Sequence, residues 1–243
     1  MKIGEVDRVP PGKQRSSRWA DQQSLFWYRL GHLVFSSLFR FWIRRFHSVD
    51  AENVPARGGA FLIANHTSGM DPFLLGVPVR WRMLRGPGKE ELFVSPFFGY
   101  LMKKIGMFPL RQSVADAAAV RTMVEIFRSG KVVVVYPEGG RSDSGELMTF
   151  SPDFARLMIR MKALIVPAGI AGARELLPIG SLIPRPNTTV VVVYGEPFEL
   201  SQFYGGKVSA EMAQEASVLM HNKVAELVAQ ARRRRAQLDH TGS

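Results

Sequence analysis

The stretch Asn65-His66-Thr67-Ser68-Gly69-Met70-Asp71-Pro72 follows directly after the apolar run 61–64. The apolar run predicts a short buried strand, and Pro72 suits the first position of a helix, with Asp71 as its N-cap. On a continuous helix, two residues five positions apart would point about 140° away from each other. The sequence therefore predicts a strand, a turn and a helix, with His66 and Asp71 meeting across the turn.

An imidazole held by a carboxylate can act as a general base toward a hydroxyl group. The same two residues also fit a structural histidine beside an ordinary helix cap, and a lone His-Asp pair does not distinguish the two interpretations.

Three further segments bear on this choice. A second strand-like run, 132–135, is followed by Tyr136-Pro137-Glu138-Gly139-Gly140-Arg141-Ser142. Its two glycines let the backbone approach a ligand, and Arg141 suits a phosphate or carboxylate. The other segments are 89–111, which begins Lys89-Glu90-Glu91 and ends Phe108-Pro109-Leu110-Arg111, and the short strand Leu164-Ile165-Val166 before Pro167.

In this order and spacing the four blocks resemble the glycerolipid acyltransferases, in particular the 1-acylglycerol-3-phosphate acyltransferases, over about residues 50 to 200. The resemblance implies transfer of an acyl group from a thioester to the free hydroxyl of a lysophospholipid. The donor would be acyl-CoA or acyl carrier protein, and the product would be phosphatidic acid if the acceptor is lysophosphatidic acid. In such enzymes the residue matching His66 is the general base, and the residue matching Asp71 holds it.

The resemblance also implies binding residues for the acceptor phosphate. The positions that match the family's glycerophosphate-binding motifs are Arg111 in the second block and Glu138, Gly139 and Arg141 in the third, beside Gly140. Lys89 adds a second positive charge. Backbone N–H groups near Gly139 and Gly140, or in the turn 67–69, are alternative donors to the oxyanion of the tetrahedral intermediate. Glu138 follows a buried strand and a proline, which suggests an organising role with a partner such as one of the arginines.

Two positions depart from the family pattern. Leu110 precedes Arg111 where most members have an acidic or amide residue, and Phe150-Ser151-Pro152-Asp153 stands where members usually continue with phenylalanine and lysine. An acceptor other than lysophosphatidate therefore stays open, as does a non-catalytic or hydrolytic lipid-binding relative.

The amino-acid composition excludes several catalytic mechanisms. The chain has 243 residues, 46% of them hydrophobic, and no cysteine. A thiol acyl-enzyme and a cysteine-zinc site are excluded, and no Gly-x-Ser-x-Gly motif is present. Direct acyl transfer is favoured over acylation of Ser68. We expect no metal and no cofactor beyond the thioester substrate.

The net charge of +11 indicates an anionic partner. Residues 25–46 are rich in aromatic residues and predict a helix, but Arg29 and Arg40 leave too short an uncharged run to cross a bilayer. We expect residues 1–48 to form a helical segment lying in an anionic membrane interface, before an acyltransferase domain at 49–243; a core helix packed on that domain is the alternative. Met1 to Asp21 show no signal-peptide pattern. These features predict a protein at the cytoplasmic face of the membrane, without nucleic acid as a partner.

The rest of the sequence alternates strands and helices. Strands are predicted near 60–64, 81–84, 107–110, 131–136, 164–168 and 189–194, and helices near 72–76, 96–105, 114–129, 152–161 and 209–235. The pattern predicts an α/β fold with a largely parallel sheet flanked by helices and active-site turns at the carboxyl ends of strands. Four arginines, 232–235, suit the last turn of the C-terminal helix, where they complement its dipole.

Overall fold

The computed structural model describes residues 43–110, 117–181 and 183–240, together with Leu30, Leu33 and Ser37. Seven strands form one sheet: β1 (Ile43–Val49), β2 (Ala60–Ala64), β3 (Leu84–Lys89), β4 (Met107–Leu110), β5 (Val132–Val135), β6 (Ile165–Ala171) and β7 (Thr188–Tyr194). The helices are α1 (Asp71–Gly76), α2 (Pro96–Lys104), α3 (Ala117–Arg128), α4 (Pro152–Met161), α5 (Ala173–Leu176) and α6 (Ala210–His240). Short 3₁₀ turns cover Ala51–Asn53, Glu90–Phe93 and Ser201–Phe203.

The strand order is β1-β7-β6-β2-β5-β3-β4. All neighbouring strands pair in parallel except β6 and β7, so β1 and β7 run opposite to the other five. The α/β fold with a largely parallel sheet is therefore confirmed.

Helices cover both faces of the sheet. Along β2, Phe61 and Ile63 belong to an apolar cluster that includes buried residues of α3, α4 and α6. Ala60, Leu62 and Ala64, which alternate with them along β2, belong to a second cluster with α1 and α5. Burial on both faces explains why β2, β5 and β6 are continuous apolar runs in the sequence.

The direction of the strands defines the edge of the sheet that carries the site. β2, β5, β3 and β6 are mutually parallel, so the segments that follow them leave from one edge, which we call the carboxyl edge. Asn65, the first residue after β2, fixes this end of the strand to β6. Its amide donates to the carbonyl of Ile170 at 3.0 Å and accepts from the N–H of Ile170 at 2.8 Å.

The predicted N-terminal helix needs a correction. Leu30, Leu33 and Ser37 are helical, but Ile43–Val49 is strand β1, paired in parallel with β7, so the expected helix cannot extend to residue 46. The predicted boundary between residues 48 and 49 falls inside this strand. β1 lies at the edge of the sheet and buries only Ile43 fully, so its sequence lacks the apolar run of an internal strand. The remainder of the predicted helix lies outside the described residues.

A second correction concerns β3. A strand was predicted over 81–84, whereas β3 begins at Leu84 and continues through Gly86-Pro87-Gly88 to Lys89. Glycine and proline weaken the strand pattern, which hid this element. Close packing explains Gly88, because a Cβ there would lie 2.9 Å from the side chain of Met107.

The long helix α6 packs against β6, β7 and α4. The helix continues to His240, so the predicted placement of arginines 232–235 in its last turn is wrong. Arg232 donates to Glu146 at 3.0 Å and to the carbonyl of Gly145 at 2.9 Å, and Arg235 pairs with Glu175. The end of α6 therefore holds loops at the carboxyl edge. Within the described part of the chain, none of the helices combines the length and apolarity needed to span a bilayer.

Candidate active site

His66 and Asp71 lie together in the turn after β2. His66 Nδ1 is 2.8 Å from Asp71 Oδ2, and the Asp71 side chain is fully buried. The same oxygen accepts the N–H groups of Thr67 at 2.8 Å and Ser68 at 2.9 Å. α1 begins at Asp71 with Met70 as its N-cap, so Asp71 is not the N-cap as predicted. Its carboxylate turns back to the loop and holds the imidazole.

This contact fixes the orientation of the His66 ring. An ionised carboxylate can only accept hydrogen bonds, so Nδ1 carries the proton in the neutral ring and Nε2 keeps its lone pair. The His66 side chain is 19% exposed, so it is accessible from the carboxyl edge. A neutral imidazole with its lone pair directed away from the supporting carboxylate has the arrangement of a general base.

Tyr136 forms one wall of the site. Its ring stacks on the ring of His66, with centroids 3.9 Å apart and planes inclined by 11°. Burial raises the pKa of Tyr136 well above its ordinary value, and the charge of Asp71 raises the pKa further. The phenol is therefore neutral and supplies a flat surface that limits rotation of the imidazole. Its hydroxyl is buried and has no hydrogen-bond partner in the described parts of the chain.

Glu138 holds the main chain of His66. Its Oε1 accepts the N–H of His66 at 2.6 Å, and its Oε2 accepts the N–H of Met148 at 2.8 Å. The N–H of Ser142 donates to the carbonyl of His66 at 2.8 Å. The loop after β5 thus fixes the peptide groups on both sides of His66. The two carboxylate oxygens of Glu138 are thus bound by main-chain N–H groups, not by the arginine that the sequence suggested.

The electrostatics of Glu138 reflect its half-buried position. Burial raises the pKa of Glu138 to about 7, against the lowering effect of the N–H groups of Met148 and His66, and the charge of Asp71 adds to the rise. Glu138 therefore changes charge near neutral pH, next to the residue that it positions.

The two glycines of the same loop are exposed, and a Cβ on either would meet nothing within 4 Å. Gly139 has φ 77°, in the left-handed region that glycine occupies without strain. Its N–H donates to the carbonyl of Tyr136 at 3.1 Å, so this amide is already engaged in the turn. The loop leaves open space beside the His66 turn.

Arg141 extends over the His66 turn. Its Nη1 would lie 3.8 Å from a Cβ built on Gly69. It is half-buried and forms no hydrogen bond or ion pair with another described residue. A guanidinium in this position is available to an anionic group of a ligand.

The side chains of the other two predicted binding residues, Lys89 and Arg111, are not among those that the structure describes. Lys89 is the last residue of β3 and so leaves the sheet at the carboxyl edge, but only its backbone is described. Arg111 lies outside the described residues. In the part of the chain that the structure describes, no group of three or more histidine, aspartate or glutamate side chains could hold a metal ion.

Sequence reasoning missed two contributors. The stacking role of Tyr136 had a signal, since an aromatic residue directly precedes Pro137-Glu138. The hydrogen bond from the Ser142 N–H to His66 had no sequence signal, because almost every residue type carries a main-chain N–H.

The chain thus combines a mostly parallel α/β sheet with a carboxylate-held histidine at the carboxyl edge. The family model described as Acyltransferase matches residues 45–171, and the chain belongs to this family. It is an O-acyltransferase.

Its relatives carry more specific names. The 1-acyl-sn-glycerol-3-phosphate acyltransferase of Bacillus subtilis (strain 168) is 27% identical over 158 residues, covering 63% of this chain and 74% of that protein. The enzyme of the same name from Salmonella typhimurium is 29% identical over 181 residues, covering 73% and 71%. The crystal structure of the 1-acyl-sn-glycerophosphate (LPA) acyltransferase PlsC from Thermotoga maritima superposes with TM-score 0.63 at 24% identity, covering 83% of this chain and 78% of that chain, which shows a shared fold.

Proposed function

We propose that the protein transfers a fatty acyl group from acyl-CoA or acyl carrier protein to the free hydroxyl of a lysophospholipid, with lysophosphatidate as acceptor and phosphatidate as product. The observation that carries the proposal is the 2.8 Å contact between His66 Nδ1 and Asp71 Oδ2, which leaves Nε2 as a base at the carboxyl edge. The names of the relatives support the choice of acceptor.

In the proposed reaction, His66 Nε2 removes the proton of the acceptor hydroxyl as the oxygen attacks the thioester carbonyl. A tetrahedral intermediate forms and then collapses, the carbon–sulfur bond breaks, and the proton on His66 passes to the departing thiolate. Asp71 stabilises the transient imidazolium through Nδ1. A general base positioned in this way contributes roughly 10²- to 10⁴-fold to the rate.

The oxyanion of the intermediate needs hydrogen-bond donors. The amides of Thr67 and Ser68 are bound to Asp71, and that of Gly139 is bound to Tyr136. The amides of Gly69, in the turn after His66, and of Gly140, in the loop after β5, have no partner among the described residues. We assign these two amides as the oxyanion donors, each worth about 3 kcal/mol of transition-state stabilisation.

Arg141 is the proposed ligand of the acceptor phosphate. Its guanidinium lies beside Gly69 and can form two parallel hydrogen bonds to a phosphate, which would position the hydroxyl relative to His66. Lys89 and Arg111 are proposed as further positive charges, on the basis of their positions in the sequence. The leucine at position 110 keeps a different headgroup open as the alternative.

The proposed setting is the cytoplasmic face of an anionic membrane, where the acceptor resides. The net charge of +11 favours anionic lipid and the phosphates or acidic surface of the donor. The segment before β1 is proposed as an interfacial anchor, and no nucleic acid, metal or bound cofactor has a role in the proposal.

The experiment compares purified wild-type protein with His66→Ala, using radiolabelled acyl donor and lysophosphatidate. Transfer is expected to fall by roughly 10²- to 10⁴-fold in the variant. His47→Ala, which changes an exposed histidine on β1, is the control and should retain wild-type transfer. Undiminished transfer by His66→Ala would contradict the base assignment, and a wild-type protein that transfers to no acceptor would favour a lipid-binding role.

A further inference from the structure

The carboxylate of Asp71 is hydrogen-bonded through only one of its two oxygens. Its Oδ2 contacts His66 Nδ1 and accepts the N–H groups of Thr67 and Ser68. Its Oδ1 is buried and has no hydrogen-bond partner among the described residues. A buried charged oxygen without a donor is destabilising, and buried polar atoms in proteins are nearly always hydrogen-bonded. Oδ1 therefore needs a donor that the described side chains do not supply.

The hydroxyl of Tyr136 is in the same situation. Tyr136 is 6% exposed, and its Oη is buried without a partner in the part of the chain that the structure describes. Its ring stacks on His66, and His66 in turn contacts Asp71, so both unpartnered atoms belong to side chains that touch one imidazole. The charge of Asp71 also contributes to the raised pKa of Tyr136, as expected for a carboxylate within electrostatic reach of the phenol.

Four side chains in one row across the sheet define the space around these two atoms. Ala64 of β2 pairs with Ala168 of β6, and Ala168 pairs with Tyr194 of β7. The register of β2 and β5, continued by one residue, puts Tyr136 beside Ala64. All four belong to the apolar cluster on the face of the sheet that α1 covers. With neighbouring strands about 4.8 Å apart, the two tyrosines start roughly 14 Å apart, with two small side chains between them.

Helix α1 closes this space on the side away from the sheet. The hydroxyl of Tyr194 donates to the carbonyl of Leu75 on α1 at 2.7 Å. Leu75 lies four residues after Asp71, so the two residues are one turn apart on the same side of the helix, about 6 Å along its axis. The ring of Tyr136 lies against His66, on the side of β2. Both phenols therefore extend toward the middle of the row, where the two alanines take up little room beneath α1.

A single water molecule suits both unpartnered atoms. An ionised carboxylate only accepts hydrogen bonds, whereas a water can donate to Asp71 Oδ1 and accept from the phenol at the same time. Buried waters in proteins typically make about three hydrogen bonds to polar groups that would otherwise be unsatisfied. We propose that one water molecule is bound between Asp71 Oδ1 and the hydroxyl of Tyr136, and that through this water Tyr136 positions the carboxylate that holds His66.

The bound water gives Tyr136 a role beyond stacking. With Oδ1 held, the carboxylate of Asp71 is bonded at both oxygens, so its plane cannot turn without breaking a bond. Such a turn would move Oδ2 away from His66 Nδ1 and would misplace Nε2 relative to the acceptor hydroxyl. Tyr136 is thus a positioning residue that acts through Asp71 and does not touch the substrate. This role in catalysis rests on the proposed function, whereas the water site does not.

A crystal structure of the full-length wild-type protein, at a resolution that shows single waters, tests the site directly. We expect one density peak within hydrogen-bond distance, about 2.5–3.2 Å, of both Asp71 Oδ1 and Tyr136 Oη. In a crystal of Tyr136→Phe the ring should stay stacked on His66, and no peak should bridge the two side chains. In the wild type, the absence of a peak, a peak that contacts only one of the two atoms, or a direct bond between the side chains would overturn the proposal.

A double-mutant cycle tests the role in catalysis. Tyr136→Phe should lower kcat roughly tenfold and leave both KM values near wild type, because a bond that supports a charged group is lost and no substrate contact is. In the Asp71→Asn background the same change should lower kcat by less than about twofold, since the phenol acts through the carboxylate. Tyr204→Phe, which removes a hydroxyl bonded to Glu199 at the surface, is the matched control and should keep wild-type kcat.

The outcomes separate this inference from the proposed function. An unchanged kcat in Tyr136→Phe, or an equal loss in both backgrounds, would overturn the positioning role of Tyr136 while transfer by the wild type still supports the proposed function. A wild-type protein that transfers to no acceptor would refute the proposed function, and the density between Asp71 and Tyr136 would still decide the water site.

Discussion

Replacing Glu138 by glutamine tests whether the contact with the main chain of His66 supports catalysis. The carboxylate accepts the N–H of His66 at 2.6 Å and that of Met148 at 2.8 Å. An amide offers one oxygen and one NH₂ group, so one of these N–H groups would face another donor. A hydrogen bond to a charged acceptor is worth about 1.5–3 kcal/mol, so kcat should fall roughly 10- to 100-fold if His66 loses its position.

The pH dependence gives the second part of this prediction. Burial raises the pKa of Glu138 from 4.5 to about 7. Between these two values the unfolded protein has lost the proton and the folded protein has kept it, so this group lowers the free energy of unfolding as pH rises, with no further change above about pH 7. Ionisation in the folded state also provides both acceptor oxygens, so wild-type kcat should rise through pH 7 by a component that Glu138→Gln lacks.

The assay is steady-state transfer to lysophosphatidate from pH 5 to 9, combined with denaturant unfolding at pH 5 and pH 8. The stability advantage of wild type over Glu138→Gln should be smaller at pH 8 than at pH 5. Glu146→Gln is the matched control, because Glu146 lies on the same loop with its side chain 70% exposed and only a surface ion pair to lose. A folded Glu138→Gln protein with wild-type kcat and an unchanged pH profile would refute the reasoning.

Three further predictions concern other parts of the molecule. Asp71→Asn should lower kcat by roughly 10²- to 10⁴-fold in steady-state assays, because a neutral amide cannot stabilise the imidazolium, and a loss under threefold would contradict this. Arg141→Lys should raise KM for a phosphate-bearing acceptor roughly tenfold while KM for the acyl donor stays near wild type, since lysine cannot form the two parallel bonds; equal effects on both would count against a phosphate role. Gly169→Ala should lower the free energy of unfolding by about 1–3 kcal/mol or more in denaturant titrations, because its Cβ would lie 2.3 Å from the main chain of Leu227. Gly206→Ala, with nothing within 4 Å of the new Cβ, is the control and should change stability much less.

The central part of the fold could be predicted because its signals are local. β2 and β4 have the predicted ends, and α4 runs over Pro152–Met161 as predicted, since buried strands form apolar runs and proline marks helix starts. β1 and β3 were not predicted correctly. β1 is a polar edge strand whose partner, β7, begins at Thr188, and no local pattern encodes so distant a pairing. β3 contains Gly86-Pro87-Gly88, which weakens every strand signal.

The candidate site divides in the same way. The spacing of His66 and Asp71 predicted their contact, because it depends only on the two side chains and the one turn between them. The contact of Glu138 could not be predicted, since its partner is a main-chain N–H, which every residue except proline carries. The stacking of Tyr136 on His66 depends on the alignment of β5 with β2, which only the assembled sheet provides.

The contact of β1 with the end of α6 has a consequence for the biogenesis of the protein. The guanidinium of Arg45 binds the carbonyl of Leu238, 193 residues later in the chain. At ribosomal speeds of about 5–20 residues per second, the amino-terminal strand waits roughly 10–40 s for this partner to be synthesised. During that interval β1 is already outside the ribosome without the rest of its sheet, so nascent chains of this protein should depend on chaperones or on early contact with a membrane.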